Sequence, residues 1–248
     1  MHILVTNDDG VDHLGLQALF NTASKFGKVS VLAPNRNWSG CGHIKTLDRP
    51  LRVYNSALPD GTLALCSDGA PSDCVALAML GIIEPRPDLV LTGINNSANL
   101  GDDVTYSGTV MAAMEGMIHG VPAVAFSQER PKKQPQDFRV TEKVIAHILF
   151  HLTKEGLPTG VFLNVNVPDL TADQLKGIRV TRLGKRIYHD QLDKKLDPRG
   201  GNYYWIGGKA PTGQYEPDTD IGALQDGYAS ITPLQGNMTA PINLDWNL

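Results

Sequence analysis

The stretch HILVTNDDG, residues 2–10, sets two adjacent carboxylates directly after a short, mostly apolar run. The β-branched and aliphatic residues of HILVT predict a strand that is buried on both faces, as in a parallel sheet. Asp8 and Asp9 follow at the end of this strand, with Gly10 behind them. Neighbouring carboxylates repel each other, so the stretch also predicts that a positive group lies nearby.

The first two thirds of the chain alternate predicted strands with predicted helices. Strands are predicted at 2–6, 28–33, 88–92, 122–127 and 160–168, and helices at 13–26, from Pro71 onward, at 109–119 and at 137–155. We expect Gly27 to end the first helix in the left-handed conformation. Strands that alternate with helices predict right-handed crossovers and a three-layer, Rossmann-like α/β fold with a mainly parallel sheet.

The composition changes after Pro168. Three β-like runs (177–190, 200–208 and 228–234) are separated by Gly, Pro and Asp, with one short helical candidate at 220–225. We therefore predict a core at 1–168 and a C-terminal β extension at 169–248, with hairpins that form an arm and a final strand that returns to the core. An arm of this kind cannot bury both of its faces alone, which favours oligomerisation.

Composition excludes several classes of protein. The 22 Lys and Arg residues against 26 Asp and Glu give a net charge of −4 without a basic run, so nucleic-acid and membrane partners are not expected. Three cysteines without a C-x-x-C pair argue against a disulfide framework and a structural zinc site, and favour a reducing cytoplasm. The sequence also lacks a signal-peptide pattern and a run of about 18 apolar residues. We predict a soluble cytoplasmic protein.

Three polar loops follow predicted strands, and in a doubly wound sheet the carboxyl ends of the strands meet at the ligand-binding edge. They are NDDG, PNRNWSG and GINNSANLGDDVTYSG. Their hard oxygen donors are Asp8, Asp9, Ser39 and either Asn95 or Asn96, which suit Mg²⁺, Mn²⁺ or Ca²⁺. Each loop alone is more typical of an ordinary turn than of a ligand site. It is their convergence that favours a divalent-metal site.

A second candidate site lies at YSGTVMAAMEG, where Gly108 precedes an apolar helix. The backbone N–H groups near Ser107, Gly108 and Thr109 are expected to point to the same edge, with the positive end of the helix dipole behind them. An ordinary N-cap is the alternative interpretation. Beside a divalent cation, such a helix start suits a phosphate group.

Other candidate residues give weaker indications. His147 and His151 lie four residues apart on a helix, but the glutamate of H-E-x-x-H is missing. Glu115 and His119 are predicted to form a surface or capping pair. The acids of GDD at 101–103 fit either metal ligands or a solvated turn. The three cysteines are expected to be small buried residues.

Several long motifs, in order along the chain, resemble the SurE family, the stationary-phase survival proteins. They are NDDG, APNRNWSG, PSDCV, GIN followed by NLGDDV, YSGTVMAAMEG and GYASITPL. The resemblance implies a divalent-metal-dependent phosphatase that acts on nucleoside 5′- and 3′-monophosphates, and in some members on short polyphosphate. It also implies a Rossmann-like core whose C-terminal β extension is exchanged between the subunits of a homodimer or homotetramer.

The resemblance carries residue roles onto matching positions. It implies that Mg²⁺ or Mn²⁺ is held by Asp8, Asp9, Ser39 and Asn95. It places the substrate phosphate at Asn95, Ser107, Gly108 and Thr109. Two positions depart from the family pattern: Asn96-Ser97-Ala98-Asn99 lacks the usual glycine, and Ala70 replaces the usual threonine before PSDCV.

The expected chemistry is direct hydrolysis of a phosphate monoester by a water that the metal activates. Asp9 is favoured over Asp8 as the carboxylate that orients or deprotonates this water. A covalent aspartyl-phosphate is disfavoured, because haloacid-dehalogenase-type enzymes separate their two acids by one residue. Two alternatives remain open: a non-catalytic nucleotide-binding regulatory protein, and a metal hydrolase that acts on a non-phosphate bond, such as a deacylase.

Overall fold

The computed structural model describes residues 1–130 and 136–240. Within these residues, nine strands form one sheet and two more form a separate hairpin. The strands are β1 (His2–Thr6), β2 (Lys28–Pro34), β3 (Val53–Ala57), β4 (Leu63–Ser67), β5 (Leu89–Asn95), β6 (Ala123–Gln128), β7 (Val161–Val167), β8 (Ile178–Val180), β9 (Arg186–Leu196), β10 (Asn202–Gly213) and β11 (Ala229–Gln235). The helices are α1 (Leu14–Ala23), α2 (Pro71–Leu77), α3 (Gly108–Ile118), α4 (Arg139–Glu155) and α5 (Asp220–Gln225).

The large sheet has the strand order β3-β4-β2-β1-β5-β6-β7-β11-β8. Its six strands from β4 to β7 in this order are all parallel, whereas β3 and β11 run antiparallel to β4 and β7. The chain moves outward from β1 to β2 and β4, and then returns to β5 on the other side of β1. The strand order therefore reverses between β1 and β5, which is where ligands bind in open α/β sheets.

Helices cover both faces of the sheet, and β1 contributes to both cores. All five residues of β1 are buried. Ile3 and Val5 pack in one cluster with residues of α1 and α4, and Leu4 packs in the other with residues of α2 and α3. This alternation follows from the two-residue period of a strand. The predicted three-layer, mainly parallel α/β fold is confirmed.

The end of α1 differs from the prediction. The helix ends at Ala23, and the N–H and the hydroxyl of Ser24 both donate to the Phe20 carbonyl. Gly27 is not in the left-handed region, so its expected role as a helix cap is wrong. Its small size serves a close approach instead, because a Cβ there would lie 2.5 Å from the Met1 carbonyl oxygen.

The C-terminal part of the chain adds strands to the sheet and forms the hairpin. β11 lies between β7 and β8, antiparallel to the first and parallel to the second. β9 and β10 pair antiparallel as a long, largely exposed hairpin, which we call the arm. The last part of the predicted extension, 241–248, lies outside the described residues. Among the described helices, none has the length and apolar character needed to cross a bilayer.

Candidate active site

The ends of three neighbouring strands and the start of α3 meet around one cavity of about 320 Å³. Asp8 follows β1, Ser39 follows β2 and Asn95 ends β5. These three residues line the cavity together with Ser107, which precedes α3. The predicted convergence of the loops therefore brings four of the seven predicted site residues to one cavity. The other three do not line the cavity: Asp9 directly follows Asp8 in the sequence, and Gly108 and Thr109 directly follow Ser107.

Asp8 is a buried carboxylate that contacts the start of α3. The Thr109 hydroxyl donates a short hydrogen bond to its Oδ1. Burial raises the pKa of Asp8 to about 6, the Thr109 hydrogen bond opposes this shift, and the charge of Asp9 adds to it. The folded protein therefore carries an unfavourable buried charge here at neutral pH.

Asp9 has one oxygen that is satisfied and one that is not. Its Oδ1 accepts a hydrogen bond from Asn37 Nδ2 at 3.2 Å. Its Oδ2 is buried without a hydrogen-bond partner and lies 3.6 Å from His13 Nδ1. That nitrogen accepts the Gly15 N–H at 3.1 Å, so it carries no proton that it could share with Asp9.

Burial raises the pKa of Asp9, and three groups oppose this shift: the backbone N–H of Asn96, the charge of Arg130 and the Asn37 side chain. Burial also lowers the pKa of His13, against the attraction of Asp8. A neutral His13 does not balance the two carboxylates. The pair therefore lacks a positive partner in direct contact, although the repulsion between adjacent acids calls for one.

The loop after β5 presents the amide oxygen of Asn95. The Asn95 amide nitrogen donates to the Ser97 carbonyl at 2.7 Å, which leaves the oxygen as the free ligand atom of that side chain. Asn99 fixes the loop on the sheet, because its N–H donates to Asn166 Oδ1 at 2.7 Å and its amide nitrogen to Ser127 Oγ at 2.8 Å. No described residue other than glycine has a positive φ, so Ser97 needs no glycine-specific conformation.

The loop after β2 carries Ser39 between two anchored points. The Trp38 N–H donates to the Asp8 carbonyl at 2.7 Å, and the Gly42 N–H donates to the Tyr106 carbonyl at 2.9 Å. Ser39 itself is exposed, and its N–H donates to Asn37 Oδ1 at 2.7 Å. Its hydroxyl therefore lies on a turn that is tied to both the Asp8 segment and the α3 segment.

The start of α3 differs in part from the prediction. The Ser107 N–H donates to the Asp103 carbonyl at 3.1 Å, so the expectation that this N–H faces an anion is wrong. The Ser107 hydroxyl oxygen caps the helix by accepting the Val110 N–H at 3.1 Å, and its proton remains free to donate elsewhere. Gly108, as the first helical residue, has an N–H without an intrahelical acceptor.

Gly108 also makes the close packing of this turn possible. A Cβ on Gly108 would lie 2.9 Å from Asp8 Cβ, 2.9 Å from Cys41 Sγ and 3.1 Å from Asp8 Oδ2. Contacts under 3.0 Å do not occur for real Cβ atoms without displacement. Glycine therefore lets the helix start reach the carboxylate directly.

Two arginines in the cavity lining, Arg130 and Arg186, are absent from the sequence prediction. Arg130 follows β6 at the same sheet edge, so the strand-end rule that found the other loops could have found it. Arg186 begins β9 and pairs with Asp103 at 2.6 Å. No local pattern indicates that β9 returns to this edge.

The other sequence candidates lie in different environments. Asp103 lines the cavity, but its carboxylate accepts hydrogen bonds from Arg186 and Tyr188. His147 and His151 line a separate, mainly apolar cavity with ring centroids 4.8 Å apart. In the described part of the chain, no three His, Cys, Asp or Glu side chains cluster as a metal site.

Glu115 and His119 form the expected pair, but Glu115 does not lie at the surface. It is buried on α3 and contacts His43 Nε2 at 2.8 Å, His119 Nε2 at 3.2 Å and Lys45 Nζ at 3.6 Å. The predicted surface location was wrong because His43 and Lys45 belong to a distant loop that folds over this helix face.

The departure at Ala70 is compensated locally. Asp73 Oδ2 accepts the Ala70 N–H at 2.9 Å and the Thr46 hydroxyl at 2.7 Å. The start of α2 is therefore held by a carboxylate of its own first turn, and Thr46 supplies a hydroxyl group beside it.

The residues present fit a hard divalent cation. The Asp9 oxygen without a partner and the destabilised charge of Asp8 are the two features that a cation would correct. The Ser39 hydroxyl and the Asn95 amide oxygen can complete a set made only of oxygen donors. Oxygen donors of this kind suit Mg²⁺ and Mn²⁺.

The fold and the site together define a three-layer α/β protein with an oxygen-rich acidic pocket at the switch point of its sheet. The family model of survival protein SurE matches residues 3–190. The chain belongs to the SurE family, which confirms the resemblance seen in its motifs.

Individual relatives agree with this assignment over nearly the full length. The 5′-nucleotidase SurE of Chloroflexus aggregans is 50% identical over 240 residues, which is 97% of this chain and 95% of the relative. The 5′/3′-nucleotidase SurE of Serratia proteamaculans is 46% identical over 240 residues, with 97% and 92% covered. The crystal structure of the SurE protein from Aquifex aeolicus superposes with a TM-score of 0.80 at 40% identity, covering 96% of this chain and 95% of that one.

Proposed function

We propose that this protein hydrolyses nucleoside 5′-monophosphates to nucleoside and phosphate, with 3′-monophosphates and short polyphosphate as further substrates. The protein is an enzyme of the nucleotidase class, as its relatives named 5′-nucleotidase and 5′/3′-nucleotidase indicate. The observation that carries the proposal is the pair of adjacent carboxylates at the start of α3: Asp8 is buried with a raised pKa, and Asp9 has a buried Oδ2 without a hydrogen-bond partner. A cation site beside a helix start is a suitable receptor for a phosphate monoester.

In this proposal Asp8, Asp9, Ser39 and Asn95 hold Mg²⁺ or Mn²⁺. A divalent cation bound there lowers the pKa of a water molecule and offsets the negative charge that develops in phosphoryl transfer. Asp9 is the carboxylate that orients this water, since its Oδ2 has no other hydrogen-bond partner. Asp8 is held in place by the Thr109 hydroxyl.

The substrate phosphate binds at the start of α3, with Asn95, Ser107, Gly108 and Thr109 around it. The Ser107 hydroxyl and the Gly108 N–H donate hydrogen bonds to phosphate oxygens, and the α3 dipole favours their negative charge. Thr109 contributes mainly through Asp8, because its hydroxyl is already committed there. Phosphoryl transfer needs little beyond such positioning and charge stabilisation.

We expect the protein to release inorganic phosphate from AMP and other nucleoside monophosphates in Mg²⁺ or Mn²⁺, and to lose this activity in excess EDTA. A panel of phosphate-release assays, with and without restored metal, measures this. Nucleotide binding without phosphate release would support a regulatory protein instead. Hydrolysis of p-nitrophenyl acetate, with none of p-nitrophenyl phosphate, would support a deacylase. Activity that persists after complete metal removal would contradict the metal site.

The arm supports a second part of the proposal, assembly as a homodimer or homotetramer. Its apolar residues are exposed in the single chain: Ile206 is 83% exposed, Leu192 68% and Trp205 64%. Patches of this kind usually mark an interface. We expect light scattering at micromolar concentration to give a mass of two or four chains, and a monomer would contradict this.

We also propose a location in a reducing cytoplasm, which is compatible with the three free thiols.

A further inference from the structure

A buried carboxylate joins the segment before α3 to the C-terminal part of the chain. Asp220, the first residue of α5, is fully buried. One of its oxygens accepts the Gly101 N–H at 2.8 Å, and the other accepts the N–H groups of Gly184 and Ile221 at 2.8 Å each. Asp220 therefore fixes two segments that are far apart in the sequence against each other.

A second carboxylate joins the same segment to the base of the arm. Asp103 accepts Arg186 Nε–H at 2.6 Å and the Tyr188 hydroxyl at 2.9 Å. Its neighbour Asp102 accepts the Arg186 N–H at 3.2 Å. The Tyr188 ring packs edge-on against Tyr106, with the ring centroids 6.4 Å apart. The side chains and the backbone at the start of β9 therefore contact the residues directly before α3.

The backbone transmits these contacts to the proposed phosphate-binding turn. The Asp103 carbonyl accepts the Tyr106 N–H at 3.0 Å and the Ser107 N–H at 3.1 Å. Gly101 has a φ of +52°, and a Cβ there would lie 2.5 Å from the Gly184 carbonyl oxygen. The backbones at Gly101 and Gly184 are therefore in direct contact. A movement of the C-terminal extension at Gly184 would displace the segment that leads into α3.

We infer that Asp103 and Asp220 are positioning residues for phosphoryl transfer, which hold the C-terminal extension against residues 101–107. By doing so they fix the direction of the Ser107 hydroxyl and the Gly108 N–H. The inference rests on the proposed function, since it assigns these two donors to the substrate phosphate. It makes the base of the arm a part of the active site in addition to its proposed role in assembly.

The substitution Asp220→Asn tests this inference most directly. The amide keeps the shape of the carboxylate, and its oxygen can still accept from Gly184 and Ile221, but its NH₂ group cannot accept from Gly101. We expect kcat for AMP to fall by about tenfold or more, because small displacements of positioning groups cost this much. We expect inhibition by inorganic phosphate to weaken as well. Mn²⁺ affinity, measured by electron paramagnetic resonance, should stay unchanged, because the proposed ligands are not altered.

The matched control is Asp226→Asn, the same chemical change at the other end of α5. Asp226 pairs with Arg179 at 2.8 Å and does not line the cavity, so this variant should keep the wild-type kcat. Tyr188→Phe is a second test, since it removes only the hydroxyl bonded to Asp103 and keeps the ring against Tyr106. We expect a loss in kcat of a few fold, and less than additive losses when it is combined with Asp220→Asn.

Four outcomes decide the matter. A folded Asp220→Asn protein with wild-type kcat and wild-type phosphate inhibition overturns the inference. Parallel losses of kcat and Mn²⁺ affinity also overturn it, because they indicate general distortion of the site. If Asp220→Asn does not fold, the kcat and the phosphate inhibition of Tyr188→Phe decide alone. If the wild type releases no phosphate from any nucleotide, the proposed function fails instead.

Discussion

The substitution Asp8→Asn is expected to lower kcat for nucleoside monophosphates by on the order of a thousandfold or more. Asp8 is the carboxylate that both lines the cavity and contacts the start of α3 through Thr109. Asparagine keeps its shape but removes the charge that would bind the cation. Phosphate release at saturating Mn²⁺ measures the loss. Asp60→Asn, in an exposed turn, is the control and should have the wild-type kcat. Near-normal activity of Asp8→Asn would contradict the assigned site.

The same substitution is expected to stabilise the metal-free protein at neutral pH. The pKa of Asp8 is about 6 in the folded protein, against an ordinary value of 3.8. Between these two values the folded state keeps a proton that the unfolded state has lost, so stability falls as the pH rises from about 4 to 6. Above pH 6 the wild type carries a penalty of about 2 to 3 kcal/mol, and the neutral asparagine avoids it.

Urea unfolding of the two metal-free proteins checks this sign. Asp8→Asn should be the more stable protein at pH 8, and the difference should shrink below pH 6 and disappear below about pH 3, where Asp8 is protonated in both states. Saturating metal should reverse the order at pH 8, since only the wild type gains binding energy. The prediction is contradicted if metal-free Asp8→Asn is less stable than the metal-free wild type at pH 8.

Gly108→Ala is expected to produce the second large effect, a loss of about a hundredfold in kcat. The added methyl group would lie 2.9 Å from both Asp8 Cβ and Cys41 Sγ. Asp8 cannot move aside without breaking hydrogen bonds, because its side chain accepts from the Thr109 hydroxyl and its carbonyl accepts the Trp38 N–H. The start of α3 must then move away from Asp8. Phosphate-release kinetics measure the effect, and circular dichroism confirms that the fold is kept.

Gly207→Ala is the matched control for the added methyl group. Gly207 lies on β10 outside the left-handed region, and a methyl group added there would meet no atom within 4 Å beyond its chain neighbours. Because Gly207 lies on the arm proposed for assembly, light scattering checks that the variant keeps the wild-type mass, and the variant should then keep wild-type kinetics. Equal activity of both alanine variants would show that the contact between Gly108 and Asp8 has no role in the reaction.

Local patterns predicted the parts of the fold that depend on local physics. The buried run at 2–6 and the short helix at 220–225 appear where they were expected, because apolar periodicity and flanking turn residues define such elements. The convergence of Asp8, Ser39 and Asn95 was also predictable, since the carboxyl ends of parallel strands lie at one edge of the sheet. The end of α1 was not, because the chain changes to i→i−3 bonding before it reaches Gly27: the Lys25 N–H donates to the Thr22 carbonyl and the Phe26 N–H to the Ala23 carbonyl.

Apart from Arg130, which follows a strand at the same sheet edge, the features that the sequence prediction missed depend on contacts between distant segments or on exact backbone geometry. Arg186 reaches the cavity only because β9 begins against Asp102 and Asp103. Glu115 is buried only because the loop with His43 and Lys45 covers it. The Ser107 N–H is occupied by a carbonyl within its own turn, which is a detail that residue types do not specify.

A Mn²⁺ titration of metal-stripped protein, followed at once by electron paramagnetic resonance and by phosphate release from AMP, tests the central claim most directly. The site at Asp8, Asp9, Ser39 and Asn95 predicts one tightly bound Mn²⁺ per chain, activity that rises in proportion to its occupancy, and loss of both in Asp8→Asn. Full activity before any Mn²⁺ is bound, or tight Mn²⁺ binding that survives in Asp8→Asn, would contradict it.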